Sequence, residues 1–345
     1  MIRRDLIIGV VLLAMLVATP FIWPTRYVLG QFTLFFIWAT VVTQWNLVFG
    51  VAGVFSLAQM ALFSMGGYVT GMFGLYFGWS LWIAMFAGGF AAVLFSLLIG
   101  MACLRLRGAY VALLTLAIAQ TMYLLIITDV ECFFMDGVTC RNFTGGTRGL
   151  AKYGDFGFRE WLGREHFSYG NYFLALTVLV FATAFSIFVI RSPIGLAFRA
   201  MRDSPAYAIS LGISRFKYQM LVFAASAFFT GLAGAVYAGY FRVMGANTLY
   251  LSLLLFLLSM LVVGGLGSAW GPLLGVAALM LVDEALKETV EYRDIGLGAI
   301  LVIMVMVWPT GLAGAIETLS RRIKEKRARR KPPPAEIERS ETGLD

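Results

Sequence analysis

Asp283, Glu284 and Lys287 are charged residues at the end of a long apolar stretch. Ionisable groups at membrane depth are costly and mark proton relays or ion paths. Lys287 follows Asp283 by four residues and Glu284 by three, so on a helix either acid reaches it as a local ion pair. We read an outer-end ion pair here, with a proton relay as the other reading. Cys132 and Cys140 share one polar segment. A disulfide between them fits an oxidising compartment, and two free thiols are the alternative. Cys103 closes an apolar block and reads as inert. His166 is the sole histidine, which leaves too few ligands for a Cys/His zinc site, so no metal is expected. The segment Val262–Pro272 carries Gly264, Gly265, Gly267 and Gly271 and superficially suggests a phosphate loop. The pattern G-x-x-x-x-G-K-[ST] occurs nowhere in the chain. No nucleotide or other cofactor is therefore expected on this chain, and a sharp re-entry between two membrane spans fits the glycines better. No nucleophile–base pair stands out, which disfavours a membrane-embedded enzyme.

These residues sit in a chain of 345 residues, 60% hydrophobic and 13% charged, with 37 glycines. Soluble domains carry ~45–50% apolar and ~25% charged residues, so one globular core cannot hide this excess. A bilayer can, at roughly 20 apolar residues per spanning helix. Apolar blocks predict helices near 6–23, 28–48, 58–78, 80–103, 109–127, 171–190, 218–241, 248–266, 271–289 and 295–315. The expected fold is an all-α, polytopic transmembrane bundle of about ten spans with broken or re-entrant helices. Arg3-Arg4 before Leu6–Ala18 imitates a secretory signal. No A-x-A site follows it and the apolar run continues, so an uncleaved first helix is the reading.

Charge supports that count. Lys and Arg favour the cytoplasmic side of the spans. With Arg3 and Arg4 inside, Arg105 and Arg107 fall inside, as do 191–217 and the basic tail from Arg321. The segment 128–170 falls outside and carries five basic against six acidic residues. The net charge of +8 is thus topological and does not indicate nucleic-acid binding. The division expected is a permease domain over 1–317, with an extracytoplasmic loop 128–170 and a cytoplasmic loop 191–217. A basic, partly disordered cytoplasmic tail follows over 318–345, a stop-transfer anchor that anionic lipid or a partner could also engage.

Two segments are more than apolar filler. In Gly50–Tyr68, glycines, Ser56 and Gln59 interrupt two apolar blocks. Broken helices survive in membranes where they line a cavity or are buried in protein, and transporters build solute paths from them. Gly53, Ser56, Gln59, Gly66, Gly67 and Tyr68, with Thr115 from a later span, are the candidate path residues. A tight glycine packing interface is the alternative, as is an interhelical hydrogen bond for Thr115 and Gln120. In 191–217, Ser204 suits an N-cap and Pro205 the first helical position. Gly212 suits a left-handed stop after Leu211. A two-turn helix Pro205–Leu211 is predicted, with an apolar side from Ala206, Ile209 and Ile213. It reads as a docking element, or as a connector lying on headgroups.

At these segments the chain resembles the permease subunits of ATP-binding-cassette importers of the branched-chain amino acid type, on the LivM-like side. The stretches that carry the resemblance are Gly50–Tyr68, Arg105–Tyr110 with Leu113–Ala119, Thr144–Leu150, Pro193–Gly212, Gly231–Ala238 and Gly264–Gly275. The resemblance implies a bacterial inner-membrane protein with both termini cytoplasmic. Its implied partners are membrane lipid, a LivH-like second permease, two cytoplasmic ATPase subunits that use ATP, and an extracytoplasmic solute-binding protein. It also implies an ATPase-coupling segment at Asp203, Ser204, Pro205, Ala206, Leu211 and Gly212. The implied solutes are branched-chain or other small amino acids, with urea or short amides as the cousins' alternative. A self-sufficient secondary carrier or channel, dependent on Asp283 and Glu284, is the rival from another class.

Overall fold

The computed structural model describes residues 2–103, 106, 108–136, 139–287, 296, 298–299, 302, 306, 311–315 and 318. Long apolar runs become helices because a helix satisfies its own backbone N–H and C=O groups where water is absent. The order is α1 (Ile2–Ile22), α2 (Arg26–Asn46), α3 (Gln59–Tyr76), α4 (Leu81–Cys103) and α5 (Ala109–Ile127). After an irregular segment come α6 (Phe158–Trp161), α7 (Gly163–Arg191), α8 (Pro193–Asp203), α9 (Pro205–Ser210) and α10 (Arg215–Phe241). The helices α11 (Leu251–Gly264) and α12 (Gly271–Ala285) follow.

Helices stand at every expected block from 6–23 to 271–289. The block at 295–315 lies mostly outside the described residues. Among the described residues, 5 helices are long and apolar enough to cross a membrane: Arg26–Val51, Leu81–Cys103, Ala109–Ile127, His166–Arg191 and Arg215–Phe241. Ile7–Ile22 and Leu251–Gly264 are apolar but shorter. Length is lost where the chain is broken between α11 and α12, which are 14 and 15 residues long. The molecule is a helical membrane protein.

Helix α10 is the centre, packed on α3 and α4, while α2 lies along α7. The α3–α4–α10 crossing is built from small residues. A Cβ on Gly231 would stand 2.6 Å from the Ala92 Cβ and 3.0 Å from the Gly89 Cα. Close backbone approach of this kind is how membrane helices associate without a hydrophobic drive between them. Aromatic rings fill the wider gaps, with Trp45, Phe36, Phe63 and Tyr172 fully enclosed. The Tyr172 hydroxyl donates to the Leu16 carbonyl at 2.6 Å and ties α1 to α7.

At one end lies a folded cap. Strands β1 (Phe134–Asp136) and β2 (Thr139–Arg141) form an antiparallel hairpin. Strand β3 (Leu150–Ala151) pairs with β4 (Val243–Met244), Leu150 opposite Met244. The opposite end carries α8 and α9. These strands, α6 and α8 were not anticipated from the sequence, which placed a single short helix in 191–217.

Candidate coupling loop and broken helix

Helix α2 does not stop cleanly. It runs into a π-helical segment, Leu47–Val51, and the chain is then irregular until Gln59. π segments are rare and recur at functional sites. Gly53 holds φ +71°, a conformation that costs L side chains dearly. The backbone freed by the break is satisfied by side chains from several helices. Trp45 Nε1 donates to the Ser56 carbonyl at 2.8 Å, and the Ser56 hydroxyl accepts from Ala58 N at 3.3 Å. Leu57 N donates to Thr115 Oγ1 at 2.9 Å, while that hydroxyl donates back to Val111 O at 2.8 Å. Gln59 Nε2 reaches Thr230 Oγ1 at 2.5 Å, and Ser64 pairs with Thr248 at 2.8 Å.

The seven residues named as path candidates therefore divide into three groups. Ser56, Gln59 and Thr115 are buried and hold the break together within this one chain. Gly66, Gly67 and Tyr68 lie where α3 meets α10. A Cβ on Gly67 would stand 2.7 Å from Met244 Sδ and 2.9 Å from Gly234 O. The Tyr68 hydroxyl is buried without a hydrogen-bond partner. Gly53 is exposed and lines a cavity of about 450 Å³ at the α8–α9 end, with Phe55, Phe198, Arg202, Pro205 and Ile209. Gln120 Nε2 is likewise buried without a partner.

Helix α8 begins at Pro193, with the Ser192 hydroxyl accepting from Gly195 N at 3.4 Å. Ile194, Ala197, Phe198 and Met201 recur at helical spacing, and Ala197 and Phe198 are buried. Helix α9 ends one residue earlier than expected, with Leu211 as its cap. Gly212, at φ +84°, donates to Ile209 O at 2.9 Å and Ile213 N to Ala208 O at 3.1 Å. This is the double bond pattern of a Schellman stop. Ser204 occupies the N-cap position, but its side chain makes no capping bond. Its backbone instead closes α8 and opens α9 together, donating to Ala200 O and accepting from Ala208 N, each at 3.0 Å. Of the residues expected on its apolar side, Ala206 and Ile209 are exposed and Ile213 is half-buried. Ala208 is the α9 residue buried against its own chain, whereas Tyr207, Ile209 and Leu211 are 64%, 51% and 63% exposed. Asp203 pairs with the neighbouring Arg202 at 3.0 Å.

Three arginines at this end cap chain carbonyls. Arg199 Nη2 donates to Ile190 O at 2.5 Å, Arg202 Nη1 to Gly50 O at 2.6 Å and Arg215 Nη2 to Leu106 O at 2.8 Å. The positive charge that marks topology thus also closes helix ends, where a cation is favoured by the helix dipole.

At the far end of α12, Glu284 accepts from Lys287 at 2.9 Å, from Gln31 at 3.2 Å and from the Tyr27 hydroxyl. Lys287 also donates to the Tyr27 hydroxyl at 2.9 Å. The pair is partly open to solvent, at 46% and 40% exposure. Cys132 is disulfide-bonded and Cys103 is free and buried. The side chain of Cys140 lies outside the described residues.

The chain is thus a helical membrane bundle in which α2 ends in a break and a short helix, α9, stands on the loop at one end. Residues 27–307 match the family described as "Branched-chain amino acid transport system / permease component", and the chain belongs to that family. It is similar to the high-affinity branched-chain amino acid transport system permease protein LivM of Escherichia coli K12, 26% identical over 88% of this chain and 73% of that one. The LivM protein of Salmonella typhimurium LT2 is also 26% identical, over 77% of this chain and 65% of its own. The LivH permease protein of the same organism is 23% identical over 81% and 92%. No solved structure matches. The chain is an integral membrane transport protein and not an enzyme.

Proposed function

We propose that this chain is one of two permease subunits of an ATP-driven importer of the bacterial inner membrane, carrying branched-chain or other small amino acids. It spans the membrane about ten times, with the α8–α9 end and both termini cytoplasmic. A LivH-like permease completes the path, two ATPase subunits dock on α9, and a solute-binding protein delivers the solute to the capped end. Asp203, Ser204, Pro205, Ala206, Leu211 and Gly212 form the coupling segment. Gly53, Ser56, Gln59, Gly66, Gly67, Tyr68 and Thr115 set the shape of the path by fixing the broken helix and its crossing with α10. ATP acts on the partner chains and this chain binds no cofactor.

The observation that carries this reading is α9 itself. It is a short helix with a Schellman stop whose Tyr207, Ile209 and Leu211 are more than half exposed. Exposed apolar side chains rimmed by polar residues mark interaction surfaces. Expression with the neighbouring genes, purification through a tag on this chain and uptake assays in liposomes test it. ATP-dependent uptake of leucine, isoleucine or valine by a complex containing a second permease and ATPase chains is expected. Uptake of urea or short amides instead would move the substrate assignment within the same machine. Transport by this chain alone without ATP, lost in a D283N/E284Q variant, would replace the reading with a secondary carrier.

A further inference from the structure

We infer that Arg202 is the positioning residue that ties the α8–α9 loop to both chain breaks, so that displacement of α9 is carried to them as one unit. This rests on the importer reading above. A helix leaves its last carbonyls without intrahelical partners. At the end of α2, Val54 N donates to Val48 O and Ala52 N to Leu47 O, and the Gly50 carbonyl accepts a hydrogen bond from Arg202 Nη1 at 2.6 Å instead. The bond joins residues 152 apart in sequence.

The chain is shaped for it. A Cβ on Gly53 would stand 2.9 Å from the Arg202 Cβ, so the arginine stem lies directly on the break. Gly267, at φ +76°, brings the second break alongside: a Cβ there would stand 3.1 Å from Gly50 O and 3.4 Å from Arg202 Nη1. Asn46 then fastens that second break through both ends of its amide. Its Nδ2 donates to Ser268 O at 2.8 Å, and its Oδ1 accepts from Gly267 N at 2.8 Å. Asn46 is 1% exposed. One hydrogen bond thus joins the coupling loop to the end of α2, and two more join the end of α2 to the connector between α11 and α12.

The other two arginines do not do this. Arg199 bonds within its own corner, nine residues back, and Arg215 reaches the connector after α4. The Arg202–Asp203 pair is solvent-exposed and contributes little. Phe198 of α8 shares a buried apolar cluster with Leu47, Val48 and Val51, and the Arg202 guanidinium adds to that contact a directed bond, beside a cavity that reaches Pro205 and Ile209. Packed side chains and hydrogen-bond networks of this kind are one physical route by which distant elements couple.

The test uses the complete complex in proteoliposomes with a spin label at Leu266, which is exposed beside Gly267. In the wild type the label is expected to respond to ATP. In R202A we expect the subunit ratio and ATP hydrolysis to persist, the label response to vanish, and solute moved per ATP to fall about 10-fold, within the ~5–150-fold range of coupling effects. R202K, which keeps one donor for one carbonyl, is expected to recover much of that ratio. If R202A does not accumulate in the membrane, R202Q takes its place. An unchanged solute-to-ATP ratio, or an unchanged label response, would overturn the inference. Loss of the ATPase chains from the variant complex would overturn it in favour of a docking role. Failure of the wild type to transport with ATP would instead sink the importer reading itself.

Discussion

The two ends of the molecule solve the same problem, an irregular segment between long helices, in opposite ways. At the capped end, β3 pairs with β4, and Asp129 gathers Thr144 through its backbone N and its hydroxyl, both at 2.6 Å. Asn142 Nδ2 donates to the Asp129 carbonyl at 2.7 Å. Tyr153 donates to Ala238 O at 2.8 Å, and burial holds its phenol well above the ordinary value, so it stays a donor. Asp155 pairs with Arg242. At the α8–α9 end, Leu196, Tyr207, Ile209, Leu211 and Phe216 are exposed. Both ends expose apolar side chains, with Val130, Phe133, Met135 and Trp161 among them at the capped end. The difference lies in how the irregular backbone is held: by strand pairing and loop hydrogen bonds at one end, and by a short helix with a Schellman stop at the other. The difference teaches which end offers a protruding helix, rather than a hydrogen-bonded cap, to a second body.

The contrast breaks most sharply if α9 is made polar. A Y207S/I209S/L211S variant is expected to keep its thermal midpoint in detergent and lose the ATPase subunits on purification, since interface hot spots contribute roughly 2 kcal/mol or more each. A fall in midpoint with retained subunits would show that these side chains serve the fold. The next largest effect belongs to the capped end. D129A removes the acceptor for two donors and should cost about 1–3 kcal/mol, read as a lower unfolding midpoint with solute moved per ATP unchanged. A smaller effect sharpens the comparison within the inner loop. S192A removes a bonded cap and should cost about 1 kcal/mol, while S204A, whose side chain caps nothing, should cost less. Equal losses in paired melts would contradict the capping geometry. Of similar size, G212A keeps the chain but strains a φ of +84°, and should weaken ATPase retention by a few-fold through about 1 kcal/mol of backbone cost.

Much of this was legible in the sequence. Apolar blocks marked the long helices because a bilayer demands unbroken runs, and α5 falls at the expected residues 109–127. Pro205 and Gly212 marked α9 because each has a fixed backbone preference. Helix α8 was missed: Arg199, Arg202 and Asp203 among eleven residues read as a polar loop, although Ile194, Ala197, Phe198 and Met201 repeat at helical spacing. The glycines of the break were legible as special but not as to purpose. Gly66 reads equally as a path or a crossing until Gly231 is seen against it. The Arg202–Gly50 and Asn46–Gly267 contacts were beyond reach because their members lie 152 and 221 residues apart, and no local pattern links them.

The central claim is that partner ATPases engage α9, and site-specific photocrosslinking in the native membrane tests it most directly. A photoreactive residue is placed at Ile209 in one variant and at Phe133, exposed on the capped end, in another. The account predicts that Ile209 captures an ATPase chain and that Phe133 does not. Capture of the ATPase from Phe133, or from neither position while the complex remains active, would contradict it.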